Sequence, residues 1–343
     1  MNLSHPVALE PELGGDDQSA AWDTMGWGYY QYPQLVSVDR WKWLDPRRLT
    51  NICERWSKDH TNALQYALFN GDGFESWENV WGTWNGITPR DGEAIRRVGA
   101  LSRFLGGRGY LQSQQWIPHV ITTAPGMLFA SQWPLAGSVA WTVVNRGTNN
   151  HTGPALVLPT TTTSYRYFDL YMGKEIMPVT EAKSGSSHTL AQTLALDVEV
   201  GGFGAVLGIS GPLDANLTSF LATMANMTAV PLSRLDSTWR YQLQRRARVF
   251  PTKPYSSAPA GMVSVPGGQY LFKVSGVEIE GSGSSIADNP FGVDVQYEWE
   301  ARPNRFHEQA MTMDSFYMDK FPVTQQQFHK YLSSTPIAIP SDT

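Results

Sequence analysis

The chain has 343 residues, a net charge of -5, 41% hydrophobic residues and 17% charged residues. This length leaves room for two or three domains, each large enough to bury a core. The densest basic cluster, Arg245, Arg246 and Arg248, is short, and together with the negative net charge this argues against nucleic acid as a partner. No stretch is long and apolar enough to span a membrane.

Cysteine is scarce and tryptophan is abundant. Cys53 is the only cysteine, so an intrachain disulfide and a metal site built on several cysteines are excluded, and we predict no metal site. We expect this thiol to be buried as a small hydrophobe on a helix. The 13 tryptophans either stack on sugar rings or form a large core. On the first reading, the partner is a carbohydrate or a glycoprotein.

Residues 1–20 are polar and are predicted to form a loop or to be disordered. They lack the basic region and the apolar core of a signal peptide. Asn-x-Ser/Thr sequons occur at Asn2, Asn150, Asn216 and Asn226, and we predict glycosylation at the last three. These sequons favour a location in the secretory pathway or outside the cell.

Residues 21–106 alternate between predicted helices and strands. Pro46 suits the first turn of a helix over Pro46–Ser57, and the apolar run Leu64–Phe69 predicts a strand. A loop over 70–87 follows, and then a helix begins at Thr88 and ends at a Gly-Gly pair. This order predicts part of a β/α barrel.

Three carboxylates follow the predicted strand and alternate with aromatic residues. They are Asp72, Glu75 and Glu78, with Trp77 directly before Glu78 and Trp81 after it. Because they follow a strand, we expect them at the carboxyl face of the barrel, where such enzymes keep their sites. Glycoside hydrolysis uses two carboxylates, and nearby aromatic rings desolvate one of them and keep it protonated. These carboxylates are therefore candidate catalytic residues, and sugar contact or a structural role is the alternative.

A second aromatic loop contains Trp27, which lies between two glycines, and Tyr30. It is predicted to form another wall of the same cleft, so we predict that Trp27, Tyr30, Trp77 and Trp81 contact the substrate. Core packing is the alternative for these rings. One member of the catalytic pair is expected from a different strand, because the two carboxylates must flank the substrate from two sides.

Seven short β-rich runs follow over residues 107–212. They are Trp116–Thr123, Met127–Gln132, Ser138–Asn145, Ala155–Leu158, Tyr165–Tyr171, Thr189–Val198 and Phe203–Ile209. Their spacing predicts an antiparallel β-sandwich, which a helix and a linker over 213–258 follow. The runs Trp133-Pro134-Leu135, Ala140–Arg146 and Gly202–Leu207, after a barrel pattern, resemble glycoside hydrolases with a C-terminal β-sandwich.

Two runs characterise the last region, residues 259–343. They are Met262–Phe272, which contains Pro-Gly-Gly, and Met313–Phe328, which contains Phe-Pro-Val-Thr. The Pro-Gly-Gly turn ends a first strand. Apolar residues that alternate with one slip over 311–318 predict a second strand, and Thr324 is predicted to cap a helix over 325–332.

These two runs resemble the opening of the formylglycine-generating enzyme family, also called sulfatase-modifying factors. The resemblance implies the start of a C-type-lectin-like domain. Members that oxidise a sulfatase cysteine use a late pair of cysteines with copper and also bind calcium. No position of this chain matches those sites, so we expect no cofactor in this chain and no formylglycine-generating activity.

The sequence thus predicts an α+β multidomain chain with a partial β/α barrel, an antiparallel β-sandwich and the start of a sulfatase-modifying-factor domain. Three functional readings remain open. The chain is a glycosidase-like enzyme region fused to that domain, a carbohydrate-binding or structural cell-surface protein without catalysis, or a fragment of a longer protein. An incomplete barrel exposes edges and apolar faces, so we expect residues 1–106 alone to be poorly soluble and 107–250 to fold.

Overall fold

The computed structural model describes residues 9–11, 18, 21–28, 36–53, 59–75, 79–80, 83–84, 87–159, 164–181, 191–239, 248, 251–276 and 305–334. The chain divides into two compact units, Met1–Gln244 and Arg245–Thr343. The first is a mixed α/β unit with parallel and antiparallel sheets. The second contains antiparallel strand pairs and a helix.

The first unit opens with a parallel sheet whose strands are joined through helices. In chain order the elements are β1 (Met25–Gly28), α1 (Arg40–Leu44), β2 (Leu49–Cys53), α2 (Thr61–Asn70) and β3 (Gly73–Glu75). The strand order is β1-β2-β3, and both pairs are parallel. Parallel neighbours need a crossover connection, which α1 and α2 supply.

The strand β2 corrects one prediction. The sequence predicts a helix over Pro46–Ser57, but Leu49–Cys53 is a strand. Its fully buried residues, Thr50 and Ile52, alternate with more exposed ones, which is the period of a strand with one covered face. Cys53 therefore ends a strand and does not lie on a helix.

The helix α2 corrects a second prediction. A strand is expected over Leu64–Phe69, but these residues are helical. Every residue from Ala63 to Asn70 is buried. A helix that is buried on all sides has no polar face, so its continuous apolar run looks like a buried strand in the sequence. Gly71 ends the helix in the left-handed region, with φ 69°.

The helix α3 confirms a prediction made from cap residues. A short antiparallel pair, β4 (Asn79–Val80) and β5 (Thr83–Trp84), precedes α3 (Pro89–Gly107). The Thr88 hydroxyl accepts a hydrogen bond from the Asp91 N–H at 3.1 Å. The buried face of α3 includes three side chains with at most 3% exposure: Val98, Leu101 and Leu105.

Eight strands then form two antiparallel sheets. They are β6 (Leu128–Leu135), β7 (Ser138–Asn145), β8 (His151–Val157), β9 (Arg166–Asp169), β10 (Lys174–Ile176), β11 (Val179–Glu181), β12 (Ala191–Val198) and β13 (Phe203–Ile209). The sheet orders are β10-β9-β13-β7-β6 and β11-β12-β8. Antiparallel sheets are confirmed, and β7 and β13 have the predicted bounds. The expected strand Trp116–Thr123 is instead a segment with isolated bridges at Ile117 and Thr122.

The five-stranded sheet packs on both of its faces. One face packs with the three-stranded sheet through residues such as Trp141 and Val206. The other face packs with α2, α3 and α4 (Ala215–Thr228) through residues such as Phe203 and Leu207. Residues before and after position 106 therefore share one hydrophobic core.

The second unit contains β14 (Met262–Val265), β15 (Gly268–Gly276), β16 (Arg305–Met313), β17 (Phe316–Asp319) and α5 (Gln325–Ser334). Strand β15 pairs with β16, and β14 pairs with β17. The predicted strand before the Pro-Gly-Gly turn and the predicted helix after Thr324 are confirmed. The single strand predicted over 311–318 is two strands. Residues 314–315 are not in a strand, and they separate β16, which pairs with β15, from β17, which pairs with β14.

Candidate functional site

The parallel sheet β1-β2-β3 has one covered face and one more open face. Ile52 is completely buried, and Phe74 packs against the same core. Because side chains alternate along a strand, Asn51 and Glu75 point to the opposite face. Trp27 joins them because it pairs with Asn51 in the ladder. All three of these residues are partly exposed.

Glu75 lies at the carboxyl end of the sheet. It is the last residue of β3 and pairs with Cys53, the last residue of β2. Enzymes built on parallel β/α units keep their catalytic residues at this end. The structure thus brings Glu75 to the predicted edge, although the strand that carries it is β3 and the predicted strand Leu64–Phe69 is a helix.

Asn51 connects the middle of this face to a second carboxylate. Its Nδ2 donates to Glu10 Oε1 at 2.6 Å and contacts Met25 Sδ at 3.4 Å. The Asn51 side chain lies directly over Gly73, where a Cβ atom would collide with Asn51 Oδ1. Glycine at position 73 therefore lets Asn51 reach Glu10.

Residues 9–11 lie along the outer edge of β1 and position Glu10. The Met25 N–H donates to Leu9 O at 3.3 Å, and the Trp27 N–H donates to Pro11 O at 3.3 Å. The Leu9 N–H donates to the Thr24 hydroxyl oxygen at 2.6 Å. Sequence reasoning missed Glu10 and Asn51, because nothing in the local pattern shows which strand residues 9–11 accompany.

Asp72 lies at the opposite edge of the sheet from the one predicted. It precedes β3, so it is at the amino end, and it is only 3% exposed. Burial raises the pKa of Asp72 well above its usual value, and nearby Asp39 raises it further, whereas Lys42 opposes the rise. The correction follows from α2, because Asp72 comes after a helix and not after a strand.

Asp72 belongs to a buried polar cluster at that amino end. Lys42 Nζ donates to Arg48 O at 3.2 Å and to Gly71 O at 3.4 Å. Asp39 accepts from the Thr50 hydroxyl at 2.7 Å. Burial lowers the pKa of Lys42, although the neighbouring carboxylates oppose this. The amino face of such a sheet serves stability rather than chemistry, so we assign this cluster a structural role.

The remaining predicted substrate-contact and catalytic residues lie outside the described residues. They are Tyr30, Trp77, Glu78 and Trp81. Trp27 is therefore the predicted sugar-contact residue whose position the structure gives. It lies in β1 and is half-buried on the same face as Glu75.

The three predicted glycosylation sites are exposed in the first unit. Asn150 Oδ1 accepts from the Val200 N–H at 2.8 Å. Asn216 and Asn226 are in α4, and Asn216 Oδ1 accepts from Arg108 Nη2 at 2.9 Å. Exposure makes all three accessible, and their glycosylation stays a prediction.

Within the described ranges, no three or more His, Cys, Asp or Glu side chains are placed together to hold a metal ion. In the same part of the chain, no helix combines the length and the apolar character needed to cross a membrane.

No protein-family model matches this chain, and no curated protein matches it. Partial likenesses to solved structures exist. An alpha-amylase from H. orenii has a TM-score of 0.37 and 11% identity, covering 60% of this chain and 54% of that chain. A cyclomaltodextrinase has a TM-score of 0.31 and 11% identity, covering 47% and 29%. A GH30 endoxylanase from Clostridium papyrosolvens C71 has a TM-score of 0.32 and 9% identity, covering 57% and 51%.

These three solved structures are glycoside hydrolases of the amylase-like and GH30 kinds. The present chain spans between 29% and 54% of their lengths.

Proposed function

We propose that the first unit binds a carbohydrate on the open face of the β1-β2-β3 sheet and hydrolyses a glycosidic bond there with Glu75. The observation that carries this proposal is the position of Glu75. It ends β3, at the carboxyl edge of parallel strands, and shares a face with Asn51 and Trp27. A carboxylate at such an edge, with an amide and an indole on the same face, supplies a proton donor, a hydrogen-bonding group and an apolar platform.

Glu75 is the proposed general acid. In glycoside hydrolysis the acid protonates the leaving oxygen while a second carboxylate acts at the anomeric carbon. Glu75 is partly buried and shares its sheet face with Trp27. The apolar face of a sugar ring can stack on Trp27, as aromatic rings do in such clefts.

The test is hydrolysis of a panel of 4-nitrophenyl glycosides by the full chain and by Glu75→Gln. The variant keeps the shape of the side chain but cannot donate the proton, so we expect a loss of about 100-fold or more in kcat. The matched control is Glu175→Gln, an exposed glutamate of β10 that pairs with Arg166 at 2.8 Å. Its activity should equal that of the unmodified chain.

A panel that stays unhydrolysed would overturn the catalytic proposal. Equal losses in the Glu75 and Glu175 variants would show an unspecific effect on the fold instead.

Carbohydrate binding without catalysis is the second candidate. It is favoured by the position of Asp72, since one of the three predicted carboxylates lies in a buried cluster and not on the open face. Binding on a glycan array without turnover, lost in Trp27→Ala and retained in Glu75→Gln, would support this candidate over the first.

For the second unit, we propose the start of a sulfatase-modifying-factor domain. The proposal is supported by the strand β14 before Pro266-Gly267-Gly268 and by α5, which begins directly after Thr324. We further propose that this chain has no cofactor and no formylglycine-generating activity. Incubation with a peptide that carries a sulfatase motif should leave its cysteine unchanged by mass spectrometry, and formation of formylglycine would contradict this.

A secretory location is likewise proposed from the exposed sequons. Expression through a eukaryotic secretory pathway should give a chain whose mass falls on treatment with an N-glycosidase. The change in mass should diminish in Asn150→Gln, Asn216→Gln and Asn226→Gln, and a mass that treatment leaves unchanged would oppose the proposal.

A further inference from the structure

We propose that Glu10 is the second catalytic carboxylate and acts as the base that activates water. This inference rests on the proposed glycosidase function of Glu75. The two glutamates are far apart in the sequence, and only the sheet register relates them. Glu10 is fixed to β2 by its hydrogen bond with Asn51, and Glu75 ends β3, the neighbouring strand.

The register gives the separation between Asn51, which holds Glu10, and Glu75. Asn51 pairs with Gly73, and Glu75 is two residues further along β3 on the same face. Neighbouring strands lie about 4.8 Å apart and a strand rises about 3.3 Å per residue, so the Cα atoms of Asn51 and Glu75 are roughly 8 Å apart. The Glu10 carboxylate is held 2.6 Å from the Asn51 amide nitrogen.

The register sets the spacing of Asn51 and Glu75, and because Asn51 holds the Glu10 carboxylate we infer a carboxyl separation in the range of an inverting glycosidase. Such enzymes keep their two carboxyl groups roughly 6.5 to 9.5 Å apart, which leaves room for a water molecule between one carboxylate and the sugar. Asn51 occupies one of the acceptor positions of Glu10, and a carboxylate has about four, so the others remain for a water proton.

The reaction balances with these groups and water alone. Glu10 takes a proton from the water molecule while the water oxygen forms a bond to the anomeric carbon. The bond from the anomeric carbon to the glycosidic oxygen breaks, and that oxygen receives the proton of Glu75. Glu10 ends protonated and Glu75 ionised, and exchange of one proton with solvent restores both.

Asn51 is the positioning residue of this pair. It touches Glu10 and lies over Gly73, so it sets where the base stands without contacting the reacting atoms. In Asn51→Ala the base loses its fixed position, and we expect kcat to fall about tenfold with little change in KM. A merely structural role would lower the melting temperature without this split between kcat and KM.

The experiment compares Glu10→Gln, Glu75→Gln and the control Glu175→Gln on two aryl glycosides of one sugar, with 4-nitrophenol and 2,4-dinitrophenol as leaving groups. Loss of the base should slow both substrates about 100-fold or more. Loss of the acid should slow the 4-nitrophenyl substrate far more, since dinitrophenolate leaves without a proton. Proton NMR of the first product should show an inverted anomeric carbon.

The outcomes separate the two proposals. Hydrolysis by the unmodified chain with unchanged activity in Glu10→Gln would overturn the role of Glu10 and leave Glu75 standing. A retained anomeric configuration would overturn its role as a base for water. An unmodified chain that hydrolyses neither substrate overturns the proposed function, and this inference with it.

A second variant guards against a folding defect in Glu10→Gln. Glu10→Asp keeps the charge and shortens the side chain by one methylene, so we expect a smaller loss of activity than in Glu10→Gln at an unchanged melting temperature. Equal activity losses in both variants, together with equal falls in melting temperature, would show that Glu10 only supports the fold.

Discussion

The two units contain the same kinds of residues and secondary structure but differ in what they bury. In the first unit, strands such as β7 and β13 place apolar side chains in two cores, and even Lys42 is only 2% exposed. In the second unit, no described side chain is buried, and Leu271 and Phe328 are each 55% exposed. The energy of a contact depends on burial more than on residue type. The same substitution should therefore have very different effects in the two units.

Replacing a lysine by alanine should show the largest difference between the units in the free energy of unfolding. Lys42→Ala removes the donor to two buried backbone carbonyl oxygens and the group that opposes the rise in the pKa of Asp72. Leaving a buried acceptor without its donor costs about 1–3 kcal/mol, so the two lost bonds should cost about 4 kcal/mol together. The match in the second unit is Lys273→Ala, which breaks an exposed ion pair with Glu308 at 3.1 Å and should cost less than about 1 kcal/mol.

Chemical denaturation of the full chain, followed with probes in each unit, measures both changes. A cost for Lys42→Ala as small as that for Lys273→Ala would show that water reaches the polar cluster and that the contrast between the units is wrong.

A matched pair of leucines should show the next effect. Leu207 lies in β13, is completely buried and packs against the helices, so Leu207→Ala should destabilise the first unit by about 3 kcal/mol through lost transfer energy and a cavity. Leu271 lies in β15, and Leu271→Ala should change stability by about 0.5 kcal/mol or less. Thermal unfolding measures both, and a large cost for Leu271→Ala would show that another surface covers it in solution.

The shared core also bears on division of the chain at residue 106. Separating 1–106 from 107–250 would expose the face of the five-stranded sheet that carries Phe203 and Leu207. This revises the expectation that 107–250 folds alone, because we now expect both pieces to aggregate when expressed alone and to recover solubility when expressed together. Light scattering measures this, and a monomeric, cooperatively melting 107–250 would contradict it.

The sequence predicted elements well where one local signal decides the structure. Thr88 and a proline start α3, and the continuous apolar run Phe203–Ile209 gives β13 its bounds. It failed at α2, where burial on all sides removes the helical period. The aromatic surroundings of Glu75 made it a candidate, but the proposed role of Glu10 could not be predicted, because it depends on which strand accompanies residues 9–11. Secondary structure that depends on local signals can thus be predicted from the sequence, whereas the proposed site depends on the register between distant segments.

A buried carboxylate should make the stability of the first unit depend on pH, and the second unit, whose described side chains are not buried, should lack this dependence. Burial raises the pKa of Asp169 from 3.8 to about 6. Between these values the unfolded chain has released the proton while the folded chain retains it, so the stability of the first unit should fall as pH rises from about 4 to 6. The difference between the two pKa values corresponds to at most about 3 kcal/mol.

Asp169 Oδ1 accepts a hydrogen bond from the Met172 N–H at 2.9 Å. Asp169→Asn removes the ionisable group and keeps an oxygen that can accept this bond. The free energy of unfolding of this variant should depend less on pH between 4 and 6. A variant whose pH profile coincides with that of the unmodified chain would show that Asp169 ionises normally in the fold.

The smallest effect should be found at the helix cap of the second unit. The Thr324 hydroxyl accepts from the Gln327 N–H at 3.2 Å, and Gln327 Oε1 accepts from the Thr324 N–H at 2.8 Å. Thr324→Ala removes one half of this reciprocal cap and should cost about 1 kcal/mol. Since α5 has no buried residue, the loss should be confined to its first turn. Amide hydrogen exchange should show faster exchange there and unchanged protection in α3, and a global loss of protection would mean that the cap supports more than its own helix.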